Sequence, residues 1–375
     1  MTPPPPFENL VRAFDANFER HGEIGASISL WAHGEEIFSL HRGLADVKTG
    51  MAWREDTLVP IYSATKPASA ACVLLALHRR GLTPETEVGE FWPRFPAPFL
   101  TFGDVLSHQA GLAAPARPAD LFDLEDCVSA IEATRPAWLP PMHGYHPHTY
   151  GPILDQLMVS LCGERIGSFW EREVRAPLGL DFYIGLPESE FHRVGTLYPG
   201  KAAPALLHTP FYEQYFKKGS PIHRAFSSIT GLGSVHLMNT PRARTSASPA
   251  SGGIATARGL ARFYQALLGY CGGRKVFPPE VLSWLSARRV QGNDLTLLEQ
   301  TAFSCGAMCD PVLPDGAPLR TLYGRHGFGH TGAGGAHGFA EPAAGFSMAY
   351  TMNAMEISVL PGEKTSSLVR AALAG

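Results

Sequence analysis

The stretch Tyr62-Ser63-Ala64-Thr65-Lys66-Pro67 decides how the rest of this 375-residue chain is read. Its hydroxyl and amine stand three residues apart, so on a helix both side chains share one face. A serine hydroxyl is a weak nucleophile at neutral pH, and an amine that takes its proton during attack removes that weakness. Pro67 lacks the N–H that would bond back to the Ser63 carbonyl, which puts Ser63 at or just before a helix start. Unpaired N–H groups at such a start would stabilise an oxyanion forming beside the serine. The pair alone is not specific, because S-x-x-K arises by chance about once in a chain this long. The flanking sequence has to supply the context.

On the C-terminal side, Ala68 to Leu77 is apolar almost all round and stops at Arg79-Arg80-Gly81. A helix apolar on every side is a buried one, and cations followed by glycine mark its end. Lys66 would therefore lie at the buried start of a central helix, where loss of hydration lowers the pKa of an amine. On the N-terminal side, Leu10, Val11, Phe14 and Phe18 have helical spacing. Two alternating runs, Ala26 to Ala32 and Ile37 to His41, flank the turn residues His33-Gly34-Glu35-Glu36 and predict an antiparallel hairpin.

Farther on, Thr101 reads as a helix cap and Gly111 as the stop that follows it. Helical patterns recur at Leu124 to Thr134, Ile153 to Leu161 and Phe169 to Val174. Val194 to Ser251 is irregular and rich in aromatic residues, which suits a wall or lid over a cleft. An amphipathic helix follows at Thr256 to Leu268, then strands at Gly327 to Gly335 and Ala344 to Met352, and a last helix at Lys364 to Leu373. Strands at both ends with helices between predict an α+β fold: an antiparallel sheet built from the two termini, with a mostly helical region inserted. The expected division is residues 1–62 with 245–375 as the sheet region and 63–244 as the insertion, the active site lying between them.

With 45% hydrophobic residues the chain can bury a large core, and its net charge of -3 offers no field for nucleic acid. The six cysteines lack the paired spacing of a zinc or redox motif. Met1-Thr2-Pro3-Pro4-Pro5-Pro6 has neither the basic nor the apolar segment of a signal peptide and reads as an extended arm. No apolar run is long enough for a membrane span. A cytoplasmic setting is the expectation, with the oligomeric state left open.

Two later stretches carry chemistry that can complete the pair. His143-Gly144-Tyr145-His146-Pro147-His148-Thr149-Tyr150-Gly151 is a polar, aromatic loop ahead of a helix. A phenol there can relay a proton, its pKa lowered by a nearby ammonium, though loop tyrosines are commonly half-buried anchors. His146 and His148 have no acidic partner at metal-binding spacing. Gly327-Phe328-Gly329-His330-Thr331-Gly332-Ala333-Gly334-Gly335 has side chains small enough for close backbone approach to a ligand.

Taken in order, Ser63-Ala64-Thr65-Lys66, Leu106-Ser107-His108-Gln109-Ala110-Gly111-Leu112, Tyr145 before a helix and His330-Thr331-Gly332 resemble the serine β-lactamases and penicillin-binding proteins. The likeness is nearest to the class C β-lactamase-like family VIII carboxylesterases and runs over nearly the whole chain. It extends to Pro177-Leu178-Gly179-Leu180-Asp181 and to Ala250 through Thr256. The resemblance implies a β-lactamase/transpeptidase-like fold, Ser63 as the acylated nucleophile and Lys66 as its base or proton relay. It implies Tyr145, or else Tyr150, as the tyrosine of the Y-x-N motif. The N–H groups of Ser63 and Ala333 would form the oxyanion hole, and His330, Thr331 and Gly332 would bind substrate, with no metal or organic cofactor.

Two residues depart from the lactamase pattern. Pro147 stands where Y-x-N has asparagine, and His330 stands where K-T-G has lysine. A largely neutral imidazole attracts a substrate carboxylate less than an ammonium does, so both changes point to neutral esters. The expected activity is hydrolysis of short-chain carboxylic esters through an acyl-serine, on a small-molecule ester or amide. The alternatives are β-lactam or D-amino-peptide hydrolysis or acyl transfer on the same fold, and a non-catalytic binding or assembly protein.

Overall fold

The computed structural model describes residues 7–200 and 207–374; the extended arm read at residues 1–6 lies outside them. Strand β1 (Gly25–Ala32) pairs antiparallel with β2 (Glu35–Asp46), turning at His33 and Gly34, both at positive φ. The second strand runs well past His41, and Met51–Ala52 (β3) pairs with its far end. Val290–Asn293 (β4), Gln300–Phe303 (β5), Met308–Cys309 (β6), Phe328–Thr331 (β7), His337–Glu341 (β8) and Phe346–Met352 (β9) complete a nine-stranded sheet. Its order is β3-β2-β1-β9-β8-β7-β6-β5-β4. Strands from the two ends of the chain meet where β1 pairs with β9, with Ile28 facing Tyr350.

Six of the eight residues of β1 are buried, because the helix Ala257–Leu267 packs against β1, β8 and β9. The first helix, α1 (Glu8–Arg20), pairs with the last, Glu363–Leu373. Asn17 Nδ2 donates to the Lys364 carbonyl, and the buried Lys364 ammonium lies 2.5 Å from the Glu23 carboxylate.

Between the sheet segments, α2 (Lys66–Arg79) is buried from Lys66 through Leu77, as its all-round apolar sequence predicts. Helix α3 (Phe102–Leu106) starts at Thr101 with a reciprocal cap: Asp104 N–H donates to Thr101 Oγ1 and Thr101 N–H to Asp104 Oδ2. Helices α4 (Leu124–Glu132) and α5 (Tyr150–Cys162) follow, with α5 packed on α2. The aromatic stretch after Val194 is less irregular than its sequence suggests. It holds the short helices Pro210–Phe216, Pro221–Ser227, Val235–Met238 and Pro241–Thr245. Phe211 stacks on Tyr215, Phe226 meets both edge-on, and Phe226 also meets His148, joining this layer to the loop that carries Tyr145.

Candidate active site

Ser63 lies in a single 3-10 turn, Tyr62–Thr65, and the α-helix proper begins at Lys66, so the proline marks a helix start as its chemistry requires. Tyr62 has φ 47, a left-handed conformation that costs a non-glycine residue about 1–2 kcal/mol. Surrounding bonds hold that turn. Thr65 Oγ1 donates to the Tyr62 carbonyl (2.5 Å) and accepts from Gly253 N–H (2.9 Å), while Ile61 N–H donates to the Gly253 carbonyl (2.9 Å). A Cβ on Gly253 would lie 2.3 Å from Thr65 Oγ1, so glycine is needed for this approach.

The end of β7 closes on the same turn. A Cβ on Gly332 would fall 2.0 Å from the Ile61 carbonyl oxygen, which sets the His330-to-Ala333 edge directly against the residues before Ser63. Ser63 is half-buried and Ala333 exposed. Thr331 Oγ1 turns back toward the carbonyls of Gly332 and Ala336 (3.5 and 3.3 Å) and Gly332 N–H donates to the Ala336 carbonyl (2.6 Å), so this edge is ordered by its own turn.

Lys66 is fully buried, and its Nζ is 3.0 Å from Ser63 Oγ, 3.1 Å from the Pro147 carbonyl oxygen and 3.1 Å from the Ala250 carbonyl oxygen. Burial holds the amine well below the usual lysine range. No carboxylate pairs with it among the described residues. The two carbonyls can only accept, so a neutral Lys66 spends both N–H groups on them and turns its lone pair to the Ser63 hydroxyl. That arrangement can take the serine proton.

Tyr145 is buried, its ring centroid 4.8 Å from Lys66 Nζ, and its phenol lies near enough to the Ser63 side chain for that hydroxyl to act on its pKa. The expectation of a phenol with a lowered pKa is corrected here. Burial raises the Tyr145 pKa, and the nearby Ser63 side chain offsets only part of that rise. A neutral Lys66 provides no ammonium to stabilise a phenolate, so Tyr145 is a phenol that can receive and pass on a proton. Tyr150 is the first residue of α5 and donates its hydroxyl to the Leu106 carbonyl (3.1 Å), an anchor within the core.

His330 Nδ1 is 2.7 Å from the Thr331 carbonyl oxygen. A carbonyl only accepts, so Nδ1 carries the proton and Nε2 is bare; Nε2 is buried with no protein partner among the described residues. Burial pushes the imidazole pKa down to about 3. The ring packs 5.8 Å from that of Tyr145. Thus the structure brings Ser63, Lys66, Tyr145 and His330 together, and leaves Tyr150 one layer behind. His146 Nε2 accepts from Leu112 N–H (2.8 Å), which commits it to the loop.

Two further groups that shape the site were not among the candidate site residues read from the sequence, Asp294 and the Ala250 carbonyl. Asp294 accepts from the N–H groups of Tyr145, Thr296 and Leu297 and from Thr301 Oγ1. Burial raises its pKa, against the pull of those donors. Ala250 contributes only a carbonyl, which any residue has; the adjoining Gly252-Gly253 was the available hint. Cavities of about 190 and 390 Å³ elsewhere on the surface, lined by residues such as Trp138 and Ile222 or Arg54 and Arg258, include none of the four clustered side chains.

The Beta-lactamase family profile matches residues 7–365. The chain is 29% identical over 362 residues to the Esterase/beta-lactamase LipL of Mycobacterium tuberculosis (strain ATCC 25618 / H37Rv), covering 93% of this chain and 81% of that protein. Among solved structures, it superposes on a penicillin-binding protein homologue from Caulobacter crescentus with a TM-score of 0.84 at 30% identity, over 100% of this chain and 98% of the other. A family VIII carboxylesterase superposes with a TM-score of 0.83 at 29% identity, over 99% and 98% of the two chains.

Proposed function

Since the chain belongs to the Beta-lactamase family, whose profile runs over residues 7–365, we propose that it is a serine hydrolase that cleaves short-chain carboxylic esters through an acyl-Ser63 intermediate. The observation that carries this is the 3.0 Å contact between Lys66 Nζ and Ser63 Oγ, with the other two amine partners both carbonyls. Lys66 takes the hydroxyl proton as Ser63 Oγ bonds to the ester carbonyl carbon. The carbonyl oxygen becomes an oxyanion, received by the N–H groups of Ser63 and Ala333. No hydrogen bond engages the Ala333 N–H among the described residues. As the tetrahedral species collapses, Tyr145 gives its proton to the departing alkoxide and recovers one from the neighbouring Lys66 ammonium, which returns to the neutral amine. Water then attacks the acyl carbon, the bond from Ser63 Oγ to that carbon breaks, the hydroxyl stays on the released acid and the other water proton ends on Ser63 Oγ.

Two features favour a neutral ester over a carboxylate-bearing lactam. His330 offers an uncharged ring whose free nitrogen is an acceptor, which repels a carboxylate. Pro147 offers no side-chain amide and commits its carbonyl to Lys66. The likeness to the Esterase/beta-lactamase LipL and to the family VIII carboxylesterase supports an esterase reading. The test is steady-state hydrolysis of p-nitrophenyl butyrate against nitrocefin: the ester should be turned over at least about 100-fold faster by kcat/KM, a ratio of about 2.7 kcal/mol in transition-state stabilisation. A higher rate on nitrocefin would overturn the substrate assignment.

A further inference from the structure

Three successive N–H groups around Tyr145 are each held by an acceptor outside their own loop. Gly144 N–H donates to the His108 carbonyl oxygen (3.1 Å), Tyr145 N–H to Asp294 (3.0 and 3.2 Å), and His146 N–H to His108 Nδ1 (3.2 Å). Pro147 has no N–H, and its carbonyl is the one Lys66 grips. One residue, His108, thus takes the donors on both sides of Tyr145. The connection runs back as well, since His146 Nε2 accepts from Leu112 N–H, four residues after His108.

His108 reaches both donors from an unusual backbone. Its φ is 65, in the left-handed region that side chains other than Asn, Asp and His seldom occupy. Strain of this kind is retained where surrounding contacts over-determine it, and it gathers at functional sites. The carbonyl also accepts from Trp138 Nε1 (3.3 Å). The ring lies 4.9 Å from Tyr145, 4.7 Å from Tyr150 and 4.6 Å from Phe303, so it is clamped in place. Because Nδ1 receives an amide proton it carries none of its own, and the ring is neutral. An aromatic residue serving only as core filling would need none of these polar bonds.

We propose that His108 is a positioning residue of the reaction: by accepting the His146 N–H at a neutral Nδ1, it fixes the loop that sets the Tyr145 phenol against Ser63. This rests on the role of Tyr145 as proton relay given above. His108 touches neither Ser63 nor a reacting atom, so its effect passes through Tyr145.

The test compares H108F, H108N and Y145F with the double variant H108F/Y145F on p-nitrophenyl butyrate. Phe keeps the ring packing and cannot accept; Asn tolerates left-handed φ and offers a side-chain acceptor. H108F should lose about 100-fold in kcat with KM within about threefold, and H108N should recover about tenfold of that. In the Y145F background, H108F should cost less than about threefold, because the two act as one unit. Equal losses in H108F and H108N, or a full H108F loss on top of Y145F, would overturn the proposal while leaving Tyr145 as relay. Full activity in Y145F would overturn the relay and the proposal with it. Should H108F fail to fold, the ¹⁵N resonances of His108 in the wild-type protein still decide: a bare, hydrogen-bonded Nδ1 with the proton on Nε2 supports the proposal, and a protonated Nδ1 overturns it.

Discussion

The Lys66 amine lies 3.0 Å from the Ser63 hydroxyl and has the Pro147 and Ala250 carbonyls as its other hydrogen-bond partners. An ammonium in a structural ion pair would face a carboxylate. Here the partners instead leave one lone pair for the serine once the amine is neutral. Lys66→Ala should therefore lower kcat on p-nitrophenyl butyrate by about 10³-fold, within the range for loss of a general base. Lys66→Arg should be as poor, because a guanidinium does not deprotonate. Activity within tenfold of wild type in the arginine variant would exclude a base at this position.

The pH profile follows from the same amine. Protonated Lys66 cannot accept the serine proton, and burial shifts its pKa well below the usual range. The log of kcat/KM should fall with unit slope as the pH drops through that depressed value and stay level above it. Burial also pushes the His330 imidazole pKa down, to about 3, so removing that ring is the control for the assignment. His330→Ala should leave the acid limb where it is; a limb that disappears in the variant would reassign it to the histidine.

Tyr145 and Tyr150 should separate activity from stability. Tyr145→Phe loses the phenol beside Ser63 and should lower kcat by about 10²-fold or more without a change in unfolding midpoint. Tyr150→Phe leaves the buried Leu106 carbonyl without its donor, at a cost of about 1–3 kcal/mol in urea unfolding. Its kcat should change far less. The reverse pattern would move the relay to Tyr150.

His330→Lys puts a cation where the bare Nε2 now stands. The KM for nitrocefin, which bears a carboxylate, should fall by about tenfold, equivalent to about 1.4 kcal/mol. An unchanged or higher KM would show that residue 330 does not meet the substrate carboxylate.

Gly332→Ala tests the approach of the β7 edge to the turn before the nucleophile. Its Cβ would meet the Ile61 carbonyl at 2.0 Å, and backbone on both sides has to move. A loss of about 1–3 kcal/mol in stability is expected, together with reduced kcat. A variant with wild-type values of both would mean that the edge is free to shift.

Much of this site is legible in the sequence because its chemistry is local. Ser63 and Lys66 meet through helical spacing, and Lys66 through Leu77 are buried as their apolar run requires. The hairpin of β1 and β2 follows from alternation and a His33-Gly34 turn. The strands Val290–Asn293, Gln300–Phe303 and Met308–Cys309 are less visible, being short and rich in polar or small residues that mark no periodicity. Asp294, His108 and the Ala250 carbonyl reach the site over separations of roughly 40 to 190 residues, and no local pattern encodes such a meeting. The direction of the Tyr145 pKa is not legible for a related reason: it depends on burial, which only the assembled fold determines.

The central claim is that Ser63 becomes acylated. Intact-mass analysis of the protein after treatment with a fluorophosphonate, followed by peptide mapping, tests it most directly. One phosphonyl adduct on Ser63, absent from Ser63→Ala together with all p-nitrophenyl butyrate hydrolysis, is the predicted result. An unlabelled Ser63, or a Ser63→Ala protein that still hydrolyses the ester at the wild-type rate, would contradict it.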